Sequence, residues 1–181
     1  MPTRRSTARP ATEAALPRVL EAPAAYTRAI RALGVRAMSA EAMRRRLVRA
    51  GATAETAAGV VDRLVAERWI DDVAFATAVA RRGFADHGWS ERRILLSLRR
   101  AGVAAPIADR AIAAADAEAP ERREAKLLRL AERKWATLQR RDGVDDRQRR
   151  QRFAAWLARR GFAGADVRRL TELVIRRSGS G

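Results

Sequence analysis

The chain has 181 residues, with 38 Lys and Arg against 21 Asp and Glu, a formal net charge of +17 and no cysteine. That length permits a real core, burying about 70% of the unfolded surface, while the missing cysteine excludes a disulfide framework, a thiolate zinc site and a cysteine nucleophile. No apolar run approaches the roughly 20 residues needed to span a bilayer and residues 1–20 lack a secretory apolar stretch, so a cytoplasmic protein without a membrane partner is expected.

In chain order, residues 1–22 carry Arg4, Arg5, Arg9, Pro10 and Pro17 with no apolar period, which predicts a disordered basic tail. Beyond them apolar residues recur at three and four, and β-branched and aromatic residues never alternate at period two, so the class is all-α. The pattern places helices over 24–36, 39–50, 53–68, 71–86, 90–101, 104–118, 120–140, 145–160 and 163–177, with 178–181 as a flexible tail. Three starts share one device, an apolar residue before the N-cap packing on the residue five positions later: Met38, Ser39 and Met43; Ile70, Asp71 and Phe75; Trp89, Ser90 and Ile94. Gly51, Gly102 and Gly161 each follow an arginine-rich last turn, as expected where a helix stops in the left-handed conformation.

Those glycines also align the chain with itself. Leu47, Leu98 and Leu157 stand four residues before them, Met43, Ile94 and Phe153 eight before, and Arg49, Arg100 and Arg159 two before. Val60, Ala111 and Leu170 lie nine residues after, and Leu64, Ala115 and Val174 thirteen after. A further amphipathic helix precedes each pair, marked by Tyr26, Ile30 and Leu33, by Phe75 and Val79, and by Leu128, Ala131, Trp135 and Leu138. Three three-helix modules follow, over 23–70, 71–119 and 120–177. Each is too small to bury much alone, which predicts tandem stacking into an elongated, curved solenoid.

No constellation for catalysis is present. There is no phosphate-cradling glycine loop and no paired histidines, and His87 reads as a solvated loop residue. Asp71 and Asp72 read as helix-start caps rather than metal ligands. Asp142, Gly143, Val144, Asp145 and Asp146 lack the spacing and closing glutamate of a calcium loop and read as a linker. A non-enzyme without cofactor or metal is therefore expected, acting by binding.

The positive feature is arginine in rows. Arg81 and Arg82, Arg92 and Arg93, Arg99 and Arg100, Arg147, Arg149 and Arg150, Arg159 and Arg160, and Arg168 and Arg169 occupy positions the apolar stripe leaves free, and are expected to face outward as a filament- or DNA-binding surface. GC-rich codon usage would enrich arginine evenly, yet residues 39–72 balance six arginines with six acids whereas 146–177 hold ten against three. Guanidinium forks suit phosphates and carboxylates alike, so the rows do not separate a nucleic acid from an acidic protein. Most aromatics sit on apolar stripes, leaving Trp69 and Phe84 as loose candidates for base stacking.

Residues 25–51, with Ala-Tyr-Thr-Arg-Ala-Ile-Arg-Ala-Leu, Met-Ser and Met-Arg-Arg-Arg-Leu-Val-Arg-Ala-Gly, resemble the opening segment of the RecX family, bacterial regulators of the RecA recombinase. Leu64 to Phe75, ending Trp-Ile-Asp-Asp-Val-Ala-Phe, is similar to that family's acidic pair and phenylalanine between the first two modules. Residues 88–103 match its glycine, isoleucine, leucine and glycine spacing, and Phe153 to Phe162 more loosely. Two features depart from the pattern. Ala42 stands where the family has glutamate, with Glu41 displaced by one, and the third module lacks a clean N-cap. The resemblance implies a protein that binds the RecA filament, contacts single- and double-stranded DNA weakly on its own, and restrains ATP hydrolysis, strand exchange and filament growth. No uninterrupted heptad seam appears, so a monomer is expected. The rival expectation is a stand-alone basic helical module that binds DNA or RNA directly. A scaffold for another acidic partner is the third.

Overall fold

The computed structural model describes residues 19–140, 142–143 and 145–178, apart from the Arg122 side chain. The expected tails lie outside the described residues at 1–18 and 179–181, but their inner ends need correction. The Leu20 amide donates to the Gly51 carbonyl at 3.0 Å, and Ser178 closes the last helix with its hydroxyl on the Val174 carbonyl at 2.8 Å.

Among the described residues there are nine helices and no strand: α1 Ala22–Val35, α2 Ala40–Arg49, α3 Ala54–Ala66, α4 Asp72–Ala85, α5 Glu91–Ala101, α6 Ala105–Ala117, α7 Pro120–Gln139, α8 Asp146–Arg159 and α9 Gly164–Ser178. The chain is all-α, as its periodicity predicts. Local chemistry sets the starts. Ser39 accepts from the Ala42 amide, Asp71 from Val73 and Ala74 at 2.8 and 2.9 Å, and Ser90 from Arg93, each satisfying a first-turn donor. α1, α6 and α7 have no side-chain cap and instead carry Pro23, Pro106 and Pro120 in the first turn, where the missing amide costs no bond. The third module does have a clean cap, in contrast to the sequence reading. Asp145 accepts from the Gln148 amide at 2.7 Å. Ser39 and Ser90 stand twelve residues before their glycines, whereas α8 starts about one turn earlier relative to Gly161, which hid its cap from the repeat register.

Each module uses the same packing: α1 and α2 lie on α3, α4 and α5 on α6, and α7 and α8 on α9. Three separate cores result, built around Met43, Leu47 and Leu64, around Ile94 and Leu98, and around Phe153, Leu157 and Val174. The glycine register holds in burial, with Leu47, Leu98, Leu157, Met43, Ile94 and Phe153 all at 0% exposure. In the third module Ala131, Trp135 and Leu138 of α7 are buried as expected, but the leading helices of the first two modules differ. Ala25, Ala29 and Ala32 are the buried residues of α1 and Ala76 and Ala80 are buried in α4, while Tyr26, Ile30, Leu33, Phe75 and Val79 flank them half-buried. A stripe of alanine leaves the leading helix room to approach its neighbours closely, and the larger side chains close the edges. The Ile70 and Phe75 pair is also divided, Ile70 joining the first core and Phe75 packing on the second.

The modules meet through caps. The Ser39 hydroxyl donates to the Ala101 carbonyl, Arg45 Nη2 donates to the Arg100 carbonyl at 2.9 Å, and the Ala40 amide donates to Asp72 Oδ1 at 2.8 Å. The acidic pair is thereby shared between helices, Asp71 capping α4 and Asp72 receiving the first amide of α2. At the second joint the Ser90 amide donates to the Arg160 carbonyl at 2.9 Å, and α7 lies against α4 and α6. Gly102 and Gly161, at φ 80° and 91°, face these joints. A Cβ on Gly102 would fall 2.5 Å from Glu41 Cβ, and one on Gly161 would fall 2.7 Å from Arg93 Cβ and 3.0 Å from its backbone nitrogen.

Gly161→Ala must therefore adopt a left-handed backbone and displace Ser90 and Arg93. It is expected to destabilise by about 2 kcal/mol or more, lowering the melting temperature by several degrees. Gly59→Ala, on an open face of α3 with nothing within 4 Å, should shift it the other way by up to about 1 kcal/mol. Thermal unfolding followed by circular dichroism reads both signs.

Candidate polyanion-binding surface

The buried residues of each helix decide where its arginines go. In α4, Ala80 and Phe84 are buried, which turns Arg81 and Arg82 to solvent; in α5, Ile94 and Leu98 do the same for Arg92, Arg99 and Arg100. Phe153, Trp156 and Leu157 leave Arg147, Arg150 and Arg159 outside on α8, and Leu170 and Val174 leave Arg168 and Arg169 outside on α9.

These exposed groups are not equivalent. Arg81 is held in a two-pronged contact by Glu118, which raises its own pKa and keeps the Glu118 carboxyl below the usual carboxylate range. Arg169 lies 3.7 Å from Asp166, and Arg149 pairs with Asp146 at 2.7 Å. Among the described residues, Arg82, Arg92, Arg99, Arg100, Arg147, Arg150, Arg159 and Arg168 form no ion pair. These eight remain available to an outside anion.

Two expected surface residues turn inward. Arg160 places its guanidinium 3.7 Å over the Trp156 ring and donates Nε to the His87 carbonyl at 3.1 Å, so it ties the third module to the second. Burial, and then the neighbouring Arg159 cation, push its pKa down. Arg93 lies 5.3 Å over the Trp89 ring, is half-buried, and sits beside Gly161. The rows are real as sequence, but a guanidinium next to an aromatic face gains more from stacking than from water.

Of the aromatic candidates, Phe84 is buried at 4% exposure with Arg123 4.2 Å over its ring. Trp69 is 56% exposed and is the one exposed aromatic among the described residues, following Arg68 in a left-handed backbone at φ 61°. The sequence reading missed a second basic group. Arg28, Arg31, Arg36 and Arg46 line one groove of the first module, and the first three precede the charge-balanced segment 39–72.

Family models for the first, second and third three-helix domains of RecX match residues 25–64, 71–112 and 121–171, together most of the chain. The chain belongs to the RecX family. Regulatory protein RecX of Xanthomonas oryzae pv. oryzae (strain MAFF 311018) is 33% identical over 144 residues, spanning 78% of this chain and 84% of that one. Its counterpart in Pelodictyon phaeoclathratiforme is 29% identical over 154 residues, spanning 85% and 91%. The crystal structure of RecX from Lactobacillus salivarius shares the fold, with a TM-score of 0.60, 15% identity and coverage of 86% and 95%. A second crystal structure of a regulatory protein RecX gives a TM-score of 0.61 at 20% identity, covering 83% and 71%. Each matched segment holds most of one of the three cores. The family is one of regulatory proteins, and among the described residues no helix is long and apolar enough to cross a membrane.

Two consequences are measurable. Arg160→Ala should destabilise by about 1–2 kcal/mol through the lost stacking and the unpaired His87 carbonyl, whereas Arg159→Ala should stay within about 0.5 kcal/mol of the parent, as read by urea unfolding. Because the Glu118 pKa is lowered on folding, its contribution is present above the ordinary glutamate pKa and is lost as pH falls through the lowered value. Glu118→Gln should therefore flatten the acid limb of a stability profile as pH falls below the ordinary glutamate range, and leave its slope at neutral pH unchanged.

Proposed function

We propose that this RecX chain regulates a RecA recombinase filament by binding along it, and that the unpaired arginines of the second and third modules make the contact. The observation that carries the reading is the sorting of the cations. Arg82, Arg92, Arg99, Arg147, Arg150, Arg159 and Arg168 are exposed without a carboxylate of the chain's own, while the inward arginines hold the scaffold. A nucleoprotein filament offers phosphates and acidic side chains at many points. Tandem modules joined through caps can meet several of them, so that weak contacts add through effective concentration. Binding of this kind restrains ATP hydrolysis and filament growth by stabilising one arrangement of neighbouring subunits. No step of it needs a catalytic group, a cofactor or a metal ion on this chain, and a monomer suffices.

A stand-alone nucleic-acid binder would use the same arginines differently. It would hold naked DNA or RNA tightly, with affinity falling about a thousand-fold or more between 50 and 200 mM salt if 6–10 phosphates are contacted. The filament reading gives weak binding to bare single strands and strong binding to recombinase-coated ones at the same salt.

The decisive variant is Arg159→Glu with Arg168→Glu, which leaves Arg160 and its joint intact. Inhibition of RecA ATPase activity on single-stranded DNA is expected to weaken at least tenfold while the unfolding curve stays unchanged. Full inhibition by the folded variant would refute the assignment.

A further inference from the structure

The first module carries a groove of about 650 Å³ whose walls are α1 and α2. Arg28, Arg31, Arg36 and Arg46 line it, no carboxylate does, and none of the four forms an ion pair among the described residues. Two acids of this module are engaged elsewhere: Glu41 lies 2.9 and 3.5 Å from Arg44 and Arg45, and Glu67 lies 2.7 Å from Arg63 and accepts from the Tyr26 hydroxyl. Glu55 and Asp62 lie on α3, which does not line the groove. The floor is apolar. Met38 is buried beneath the groove, and Val35 stands beside it at 85% exposure.

We propose that this groove is a docking site for an acidic peptide segment that carries aliphatic side chains. Four guanidinium groups around an apolar floor match carboxylates on either side of a leucine or isoleucine, the helix-in-groove arrangement in which the apolar face docks and the charges fix the register. A phosphodiester strand would satisfy the arginines but gain nothing from Val35 and Met38, and no aromatic lines the groove to stack a base. The chain's own residues 1–18 are the wrong sign, with Arg4, Arg5, Arg9 and Arg18 against Glu13. The site is separate from the arginines of the second and third modules and does not rest on the filament reading.

The test uses the full chain and three labelled probes in fluorescence anisotropy at one fixed salt: a 12-residue polyglutamate peptide with Leu at positions 4 and 8, the same peptide with Ser at both, and a 12-nucleotide oligothymidine. The leucine peptide should bind at least tenfold more tightly than the serine peptide. Arg28→Glu with Arg31→Glu, on an exposed face of α1, should abolish that binding while oligothymidine affinity changes less than threefold. Arg159→Glu with Arg168→Glu should leave the leucine peptide bound as before. Equal affinity for the two peptides would overturn the proposal, and so would no binding of the leucine peptide. A loss confined to oligothymidine in the Arg28 and Arg31 variant would reassign the groove to nucleic acid, and circular dichroism verifies that each variant is folded.

Discussion

The last carbonyls of a helix have no partner within it, and the whole array depends on where those of the three middle helices find one. Arg100 and Ala101, at the end of α5, receive Arg45 and the Ser39 hydroxyl from the module before. Arg160, after α8, receives the Ser90 amide from the module before it. A module of about 50 residues buries too little surface to be secure alone. The polar joint therefore couples three small cores, and it does so with groups that had to be satisfied anyway. The geometry leaves no space for a Cβ at Gly102 or Gly161, so one residue type answers both the left-handed turn and the close approach.

This coupling also explains why a charge of +17 is not all available for binding. Four arginines lie over aromatic rings, Arg63 on Tyr26, Arg93 on Trp89, Arg123 on Phe84 and Arg160 on Trp156. Two of them, Arg123 and Arg160, bridge the second and third modules, Arg123 through Asp116 and Arg160 through the His87 carbonyl. A guanidinium can stack with its face while donating in its plane, which an ammonium does poorly, so an arginine-rich chain can spend some cations on architecture and keep others for a partner. The cations left without carboxylates are those that the buried faces of their helices turn outward.

Much of this architecture was legible because its signals are local. Ser39, Asp71 and Ser90 cap where capping chemistry puts them, and the glycine register predicted the buried leucines at 47, 98 and 157. What failed was whatever depended on a neighbour in space. Ala25 and Ala29 repeat as Ala76 and Ala80, 51 residues on, as do Ser39 and Gly51 in Ser90 and Gly102, yet hydropathy alone points to the larger Tyr26 and Phe75. Arg93 and Arg160 look like any other arginine in a row until Trp89, Trp156 and the joint are placed beside them. Asp145 was missed for a different reason, because α8 is a turn longer and breaks the register that located the other caps.

Glu41 shows how such a displacement is absorbed. Moved one position from the reciprocal capping site, it cannot reach back to the Ser39 amide. It turns instead to Arg44 and Arg45 and lies against Gly102, while Arg45 in turn donates to the Arg100 carbonyl. The residue lost to the helix start is thereby recovered at the joint, and the first module gains a polar link to the second where the reciprocal cap would have stayed internal. The Leu20 amide meets the Gly51 carbonyl in the same way, giving the first middle helix the donor that the later two receive from serine-bearing modules. The repeat is thus conserved in its hydrogen-bond demand rather than in the residue that meets it, which is why three modules of different composition can be joined by one geometry.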